Sequence, residues 1–159
     1  LKTWKKIKKK NGFKLIVAGK VNKNFDAFFK ELNKMSDDSF LLINEFLDVN
    51  KFNQLVYYSK LIVLPYVNGS VSGVLFTAAQ YKKPVLSTNF GAIEEYIINH
   101  KTGYIVNSRE EFKNKLEELL LIGDSSLKKI GVNNYKHLQK NFNWNIISKK
   151  IKNNCYEVL

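Results

Sequence analysis

Gly69-Ser70-Val71-Ser72-Gly73-Val74-Leu75-Phe76-Thr77-Ala78-Ala79-Gln80-Tyr81-Lys82-Lys83-Pro84-Val85-Leu86-Ser87-Thr88 is the stretch on which the fold turns. The apolar run Leu61-Ile62-Val63-Leu64-Pro65 precedes it. A loop of small residues follows, then an apolar segment of helical length, a Lys-Pro break and a second apolar run. Strand, loop, helix and strand in that order are the grammar of a parallel α/β unit. Chemistry can sit in the loop. Gly69, Ser70, Ser72, Gly73 and Val74 fall just before and at the helix start, where unpaired N–H groups and the helix dipole favour an anion. Two readings are open there: Ser72 as a plain N-cap, a role serine fills well, or a loop that cradles a phosphate.

The flanking sequence repeats the pattern. Towards the N-terminus, Lys60 to Leu64 is a continuous apolar run of the kind buried on both faces of a sheet. Asn50 is the expected cap of a helix from Lys51 to about Ser59, with Phe52, Leu55 and Val56 turned inward. Ser39 to Ile43 predicts another strand, followed by the loop Asn44-Glu45-Phe46-Leu47-Asp48. Phe25, Phe28, Phe29, Leu32 and Met35 make one apolar helix face, capped by Asn24, and a stripe of this kind is core packing. Phe13 to Ala18 predicts a strand ended by Gly19, and Gly19-Lys20 reads as a β-to-α turn. Leu1, Trp4 and Ile7 sit at helical spacing, with Asn11-Gly12 as the stop.

Towards the C-terminus, Val85 to Thr88 is a strand that carries Asn89-Phe90-Gly91 to its carboxyl end, the ligand edge of an open α/β sheet. Glu94 and Glu95 head a short helix, where acids complement the dipole. Lys101-Thr102-Gly103 turns into Tyr104-Ile105-Val106. Arg109 to Leu121 and Ser125 to about Lys140 predict two amphipathic helices, and Phe142-Asn143-Trp144 leads into a closing helix over 145–159. The expected architecture is α/β: one Rossmann-like parallel sheet with helices on both faces, in a single domain spanning 1–159.

Composition excludes several classes. The 159 residues are 45% hydrophobic and 25% charged, ordinary for a globular chain. No apolar run approaches the roughly 18 residues of a membrane span, and no signal peptide is visible. One cysteine, Cys155, supports neither a disulfide framework nor a metal cluster, so no metal is expected and a reducing compartment is. The net charge of +12 is almost all lysine, with Arg109 the sole arginine. Base-edge recognition favours arginine's planar fork, which argues against nucleic acid. The densest cluster, Lys5-Lys6-Ile7-Lys8-Lys9-Lys10, reads as a solvated helix end or as a contact for an anionic membrane surface. His100 and His137 have no carboxylate partner in register, so a histidine-based dyad has no support and no catalytic residue is assigned.

The central stretch, with Pro65 before it and Asn89-Phe90-Gly91-Ala92-Ile93-Glu94-Glu95 after it, resembles the donor-binding domain of GT-B glycosyltransferases of the GT4 type. Lys83-Pro84-Val85, Gly91, Glu95 and Lys101-Thr102-Gly103-Tyr104-Ile105-Val106 fall at the family's spacing, and the likeness runs from about Leu15 to about Trp144. The family's paired glutamates fall on Gly69 and Thr77, neither of them an acid. A subset of the family lacks the pair and opens this helix with Ser-Gly, as Ser72-Gly73 does here. Glu95 takes the place of the glutamate in the family's Gly-Gly-x-Pro-Glu turn, with Glu94 in place of proline.

The resemblance implies transfer of a sugar from a nucleotide diphosphate, a UDP- or GDP-sugar, to an acceptor hydroxyl in polysaccharide or glycoconjugate synthesis. It implies a cytoplasmic enzyme, peripheral on the inner face of a membrane if the lysine cluster is used there, with no other cofactor. Donor contacts would come from Gly19, Lys20, Gly69, Ser70, Ser72, Gly73, Val74 and Thr77, and base contacts from Phe46 or Leu47. For Gly19-Lys20 the plain turn, and for Phe46 and Leu47 a loop tucked on the domain, are the competing readings. The chain opens at Leu1 inside a helical pattern, so an acceptor domain is expected ahead of it in a longer protein. The family's basic pair for the diphosphate belongs to that preceding segment, and the closing helix would face the acceptor domain through Ile147, Ile151 and Tyr156. Two other classes stay open: a non-catalytic nucleotide-sugar-binding module, and a basic domain for membrane or nucleic acid.

Overall fold

The computed structural model describes residues 2–21, 26–34 and 37–156. In chain order the elements are α1 (Lys2–Lys6), β1 (Leu15–Ala18), α2 (Asp26–Lys34), β2 (Phe40–Ile43), α3 (Val49–Tyr58), β3 (Ile62–Leu64) and α4 (Gly73–Gln80). They continue as β4 (Val85–Thr88), α5 (Ile93–Tyr96), β5 (Tyr104–Val106), α6 (Arg109–Leu121), α7 (Asp124–Phe142) and α8 (Trp144–Tyr156). Leu1, Asn24, Phe25 and Met35 lie outside the described residues. All strand pairing is parallel, as expected. It is divided, however, into a two-stranded sheet, β1-β2, and a three-stranded sheet, β3-β4-β5.

Helices cover both faces of the three-stranded sheet, because its strands alternate two apolar sets. Leu86, Tyr104 and Val106 join Trp4 and Ile7 from the α1 segment and Phe112, Leu116, Leu119 and Leu120 of α6, with Leu61 and Val63 packed against them. Val85, Ile105 and Leu64 join Leu75, Ala78 and Ala79 of α4 and Leu138 of α7 on the opposite face. The two-stranded sheet is less covered: Ile16, Val17 and Leu41 are 43%, 39% and 49% exposed.

Two boundaries differ from the sequence reading. The cap of α3 is Asp48, not Asn50: its carboxylate accepts the Lys51 N–H at 2.8 Å and starts the helix two residues early. An aspartate is as good a cap as an asparagine, and the earlier one took the role. The helix expected from Ser125 runs from Asp124 to Phe142. Among the described residues no helix is long and apolar enough to cross a membrane.

α7 lies directly on the turn after α4. A Cβ on Gly131 would overlap the Lys82 carbonyl, and the fully buried Asn134 donates its side-chain N–H to the Lys83 carbonyl at 3.2 Å. Gly131→Ala is therefore expected to destabilise the chain by roughly 1–3 kcal/mol through overpacking, read from urea unfolding. One turn further along α7, burial holds the His137 imidazole below its ordinary pKa. The fold thus favours the neutral ring, and the unfolded chain takes up the proton first as pH falls. Stability attributable to this ring is present above pH 6.5 and is lost on acidification. Melting temperatures between pH 7.5 and 5.5 should fall in the natural chain and fall less in His137→Gln.

Candidate functional site

The site forms where β3 and β4 end. After Leu64 the chain turns at Pro65 and Tyr66, passes through the exposed loop Val67-Asn68-Gly69-Ser70 and enters α4. Ser72 is the N-cap: its backbone is extended (φ −84°, ψ 128°) and its Oγ accepts the Val74 N–H at 3.3 Å. Its carbonyl takes the Leu75 N–H at 3.0 Å. Of the N–H groups of Ser72, Gly73 and Val74 at the helix start, that of Val74 is committed to the cap. Those of Ser72 and Gly73 have no protein partner among the described residues, at the positive end of a helix buried along the face of Leu75, Ala78 and Ala79. A Cβ on Gly73 would meet nothing within 4 Å, so the space where a side chain would sit is open.

A hydroxyl and ring clamp holds the loop. Thr88 Oγ1 donates to the carbonyls of Leu64, at 3.2 Å, and Tyr66. The buried Ser87 Oγ donates to the Thr88 carbonyl at 2.8 Å. Tyr66 packs edge-on against Phe90 with ring centroids 5.0 Å apart, and its hydroxyl lies 3.5 Å from Ser72 Oγ. Gly91 closes the clamp. It sits at φ +52°, and a Cβ there would fall 2.7 Å from the Gly69 carbonyl oxygen. Asn89 fixes the following turn, donating through Nδ2 to Glu94 Oε1 and Asn107 Oδ1, both at 2.9 Å.

Other predicted contacts fall elsewhere. Thr77 lies one turn into α4, half-buried, and its hydroxyl donates back to the Gly73 carbonyl at 3.4 Å. Gly19 and Lys20 follow β1, and Phe46 and Leu47 follow β2. Their loops are tied by the Val21 N–H donating to Asn44 Oδ1 at 2.9 Å. Phe46 is 85% exposed, so it is not tucked onto the domain; Leu47 is half-buried. The chain thus forms two loop groups, each at the carboxyl ends of its own strands: 69–74 with 88–91, and 19–21 with 44–47. Sequence reading passed over the clamp residues Tyr66, Ser87 and Thr88. Their only signal was a pair of hydroxyl residues closing an apolar strand.

The ionisable groups moved from their ordinary range lie away from this loop. Burial, with Lys128 nearby, lowers the Lys83 ammonium where the chain enters β4. Burial, with Glu118 adding to it, raises the Tyr104 hydroxyl at the start of β5. Among the described residues no three His, Cys, Asp or Glu side chains gather as a metal site. The loop therefore offers N–H and hydroxyl donors to a ligand.

The sequence profile of the family described as glycosyl transferases group 1 matches residues 1–121. The chain belongs to that family. Solved structures agree in fold: the C-terminal domain of the group 1 glycosyl transferase LpcC from Francisella tularensis superposes with a TM-score of 0.77 at 21% identity. The match covers 87% of this chain and 74% of that one. Anabaena HepE, solved in complex with UDP, gives 0.76 at 15% identity, over 91% of this chain and 41% of HepE. The fold is thus the C-terminal, Rossmann-like half of a GT-B glycosyltransferase. A protein described as a probable sucrose-phosphate synthase from Thermosipho melanesiensis is 27% identical over 149 residues, 91% of this chain. This group 1 chain spans about a third (34%) of that relative's length.

Gly91 offers a direct check on the clamp. In Gly91→Ala the left-handed backbone and the collision with the loop are expected together to remove roughly 1–3 kcal/mol of stability. Amide resonances of residues 69–73 should shift in the same variant; a change confined to stability, with those resonances fixed, would show that Gly91 does not position the loop.

Proposed function

We propose that this chain is the donor-binding domain of a GT4-type glycosyltransferase that moves a sugar from a nucleotide diphosphate to an acceptor hydroxyl. The observation that carries the reading is the open start of α4: the uncommitted N–H groups of Ser72 and Gly73, clamped at the carboxyl edge of β3 and β4. As the bond to the sugar breaks, negative charge grows on the departing diphosphate. Fixed N–H donors and the helix dipole stabilise that charge without reorganising. Ser70 adds a hydroxyl on the same loop. Gly19 and Lys20 would approach the diphosphate or the sugar, and Phe46, with Leu47 beside it, would lie against the base. The HepE complexes with UDP and with UDP-glucose favour a uridine donor over the GDP alternative.

The acceptor site would belong to a second domain of the whole protein, facing α8, on which Ile151 is 57% exposed and Ile147 half-buried. The setting is polysaccharide or glycoconjugate synthesis on the cytoplasmic side of a membrane, with the exposed lysines 5, 6, 8 and 9 towards anionic lipid. A second reading, a nucleotide-sugar-binding module without turnover, is favoured by one observation: Gly69 and Thr77 stand where the family carries its glutamate pair.

Thermal shifts with UDP, GDP, ADP and CMP test the donor site. A ligand at a hundred times its Kd adds about 2.7 kcal/mol, or roughly 8 °C at this chain length. UDP should give the largest shift. Gly73→Val, which the open space tolerates, should abolish that shift while leaving the unliganded melting temperature nearly unchanged. Equal shifts in the two proteins would overturn the role of the α4 start.

A further inference from the structure

We propose that the cleft at the amino ends of β3 and β4, where Lys60, Lys83 and Lys128 meet, is a binding site for a phosphate monoester. The cleft has a volume of about 140 Å³ and lies among the end of α3, the turn after α4 and the start of α7. A single water needs roughly 10–15 Å³, so a tetrahedral oxyanion has room. Pro84 and Leu127, both buried, give it an apolar wall. Against that wall stand four lysines, Lys60, Lys82, Lys83 and Lys128, and one acid, Asp124.

The acid is already taken. Both carboxylate oxygens of Asp124 accept from the Lys60 ammonium, each at 2.9 Å. Lys82 borders the cleft but rests its ammonium over the Tyr135 ring, 5.4 Å from the centroid. Lys83 and Lys128 have no carboxylate partner among the described residues. For Lys83 this is unusual. A fully solvated lysine stands unpaired at little cost, and a half-buried one does not. Lys113 and Lys115, also half-buried, pair with Glu117 and Glu118. Lys83 has only the Tyr57 ring, with its centroid 5.5 Å from the ammonium. Burial lowers its pKa, and the Lys128 ammonium lowers it further. Two ammonium groups held together in this way repel, and an anion beside both turns the repulsion into attraction.

Helix geometry adds to the same field. α7 meets the cleft with its first turn, through Asp124, Leu127 and Lys128, and its cap Gly123 makes no side-chain hydrogen bond. The positive end of a 19-residue helix is therefore part of the site. A phosphate monoester carries about 1.5 to 2 negative charges at neutral pH and three acceptor oxygens, which fits two unpaired ammonium groups better than a singly charged diester. Tyr58, 79% exposed at the edge of the cleft, offers a ring face to the esterified group. That group belongs to a small soluble molecule or to a lipid headgroup of the phosphatidic acid kind; the recognition chemistry is the same. The cleft lies at the opposite ends of β3 and β4 from the loop 69–74, so the proposal does not rest on the donor-site reading.

Titration with glycerol 3-phosphate at about 0.15 M salt tests the site, because charges beyond about 8 Å are then largely screened. Side-chain resonances of Lys83 and Lys128 should shift along one saturating curve. Lys128→Gln and Lys83→Gln should each weaken binding roughly tenfold, the loss of one charge-assisted contact. Lys140→Gln removes the same charge about 18 Å further along α7 and should change nothing. If Lys83→Gln fails to fold, Lys128→Gln, at an exposed position, carries the comparison. Vesicles containing phosphatidic acid, set against vesicles of equal charge made with phosphatidylglycerol, separate the two sources. Saturation by the soluble ester assigns the site to a free metabolite. A preference for phosphatidic acid that Lys128→Gln removes, with no response to the soluble ester, assigns it to a lipid headgroup. Absence of both responses would overturn the proposal. So would equal weakening in Lys128→Gln and Lys140→Gln, or shifts confined to the amides of Ser72 and Gly73, which would place the ester at the α4 loop instead.

Discussion

The burial of α4 on two sides is the constraint on which the rest depends. Leu75 and Ala78 are fully buried and Ala79 nearly so, pressed between the β3-β4-β5 sheet and α7. Small residues make this possible. Two alanines bring the helix close to the strands, and Gly131 lets α7 come down on the turn at Lys82 and Lys83. Asn134 then spends its amide on that turn rather than on water. Because the body and C-terminal end of α4 are pinned, its first turn cannot drift, and the N–H groups of Ser72 and Gly73 hold a fixed place at the sheet edge. Preorganisation of this kind is what makes a backbone N–H an effective anion donor.

Much of this was legible in the residues. The apolar runs before and after the central stretch, with their helical spacing between, were enough to place β3, α4 and β4 within a residue or two. Arg109 to Leu121 was equally plain from its amphipathic pattern, and the structure adds a Ser108 cap and acids in the first turn that agree with it. The division of the strands into two sheets was not legible, because hydrophobic runs report burial and not the identity of the neighbouring strand. Nor was the start of α3, where Asp48 and Asn50 are competing caps two residues apart. At the site, Gly69 to Val74 announced itself through its small residues. The clamp of Tyr66, Ser87, Thr88 and Phe90 did not, because its meaning lies in contacts between strand ends distant in sequence. Gly131 was hidden for the same reason: within an amphipathic helix pattern, a glycine that admits a neighbouring carbonyl looks like any other interruption.

The charge of the chain and the chemistry of the loop are separate matters. Lysines crowd the starts of the strands, where Lys14, Lys60, Lys82, Lys83 and Lys101 each stand just before an apolar run. Several of their ammonium groups rest over aromatic rings, Lys82 on Tyr135 and Lys83 on Tyr57 among them. The α4 loop at the opposite ends carries no lysine from Val67 to Gln80. An anion at the loop, as proposed, would thus meet dipoles, which set direction and distance, and no lysine charge of the loop itself.

β4 is the one described strand with its first three residues fully buried, shared between the two cores and flanked on both edges. Its neighbours on the sheet, β3 and β5, are also its neighbours in the chain. From Ile62 to Val106 every strand pairing joins consecutive strands, so the loops that folding must close are short. Paired residues lie 23 and 18 positions apart in β3-β4 and β4-β5 (Ile62 with Val85, Leu86 with Tyr104), against 25 in β1-β2 (Leu15 with Phe40). The segment that carries the proposed donor loop is thus also the segment whose strands are joined by the shortest connections, so a substitution that loosens this sheet also loosens the loop.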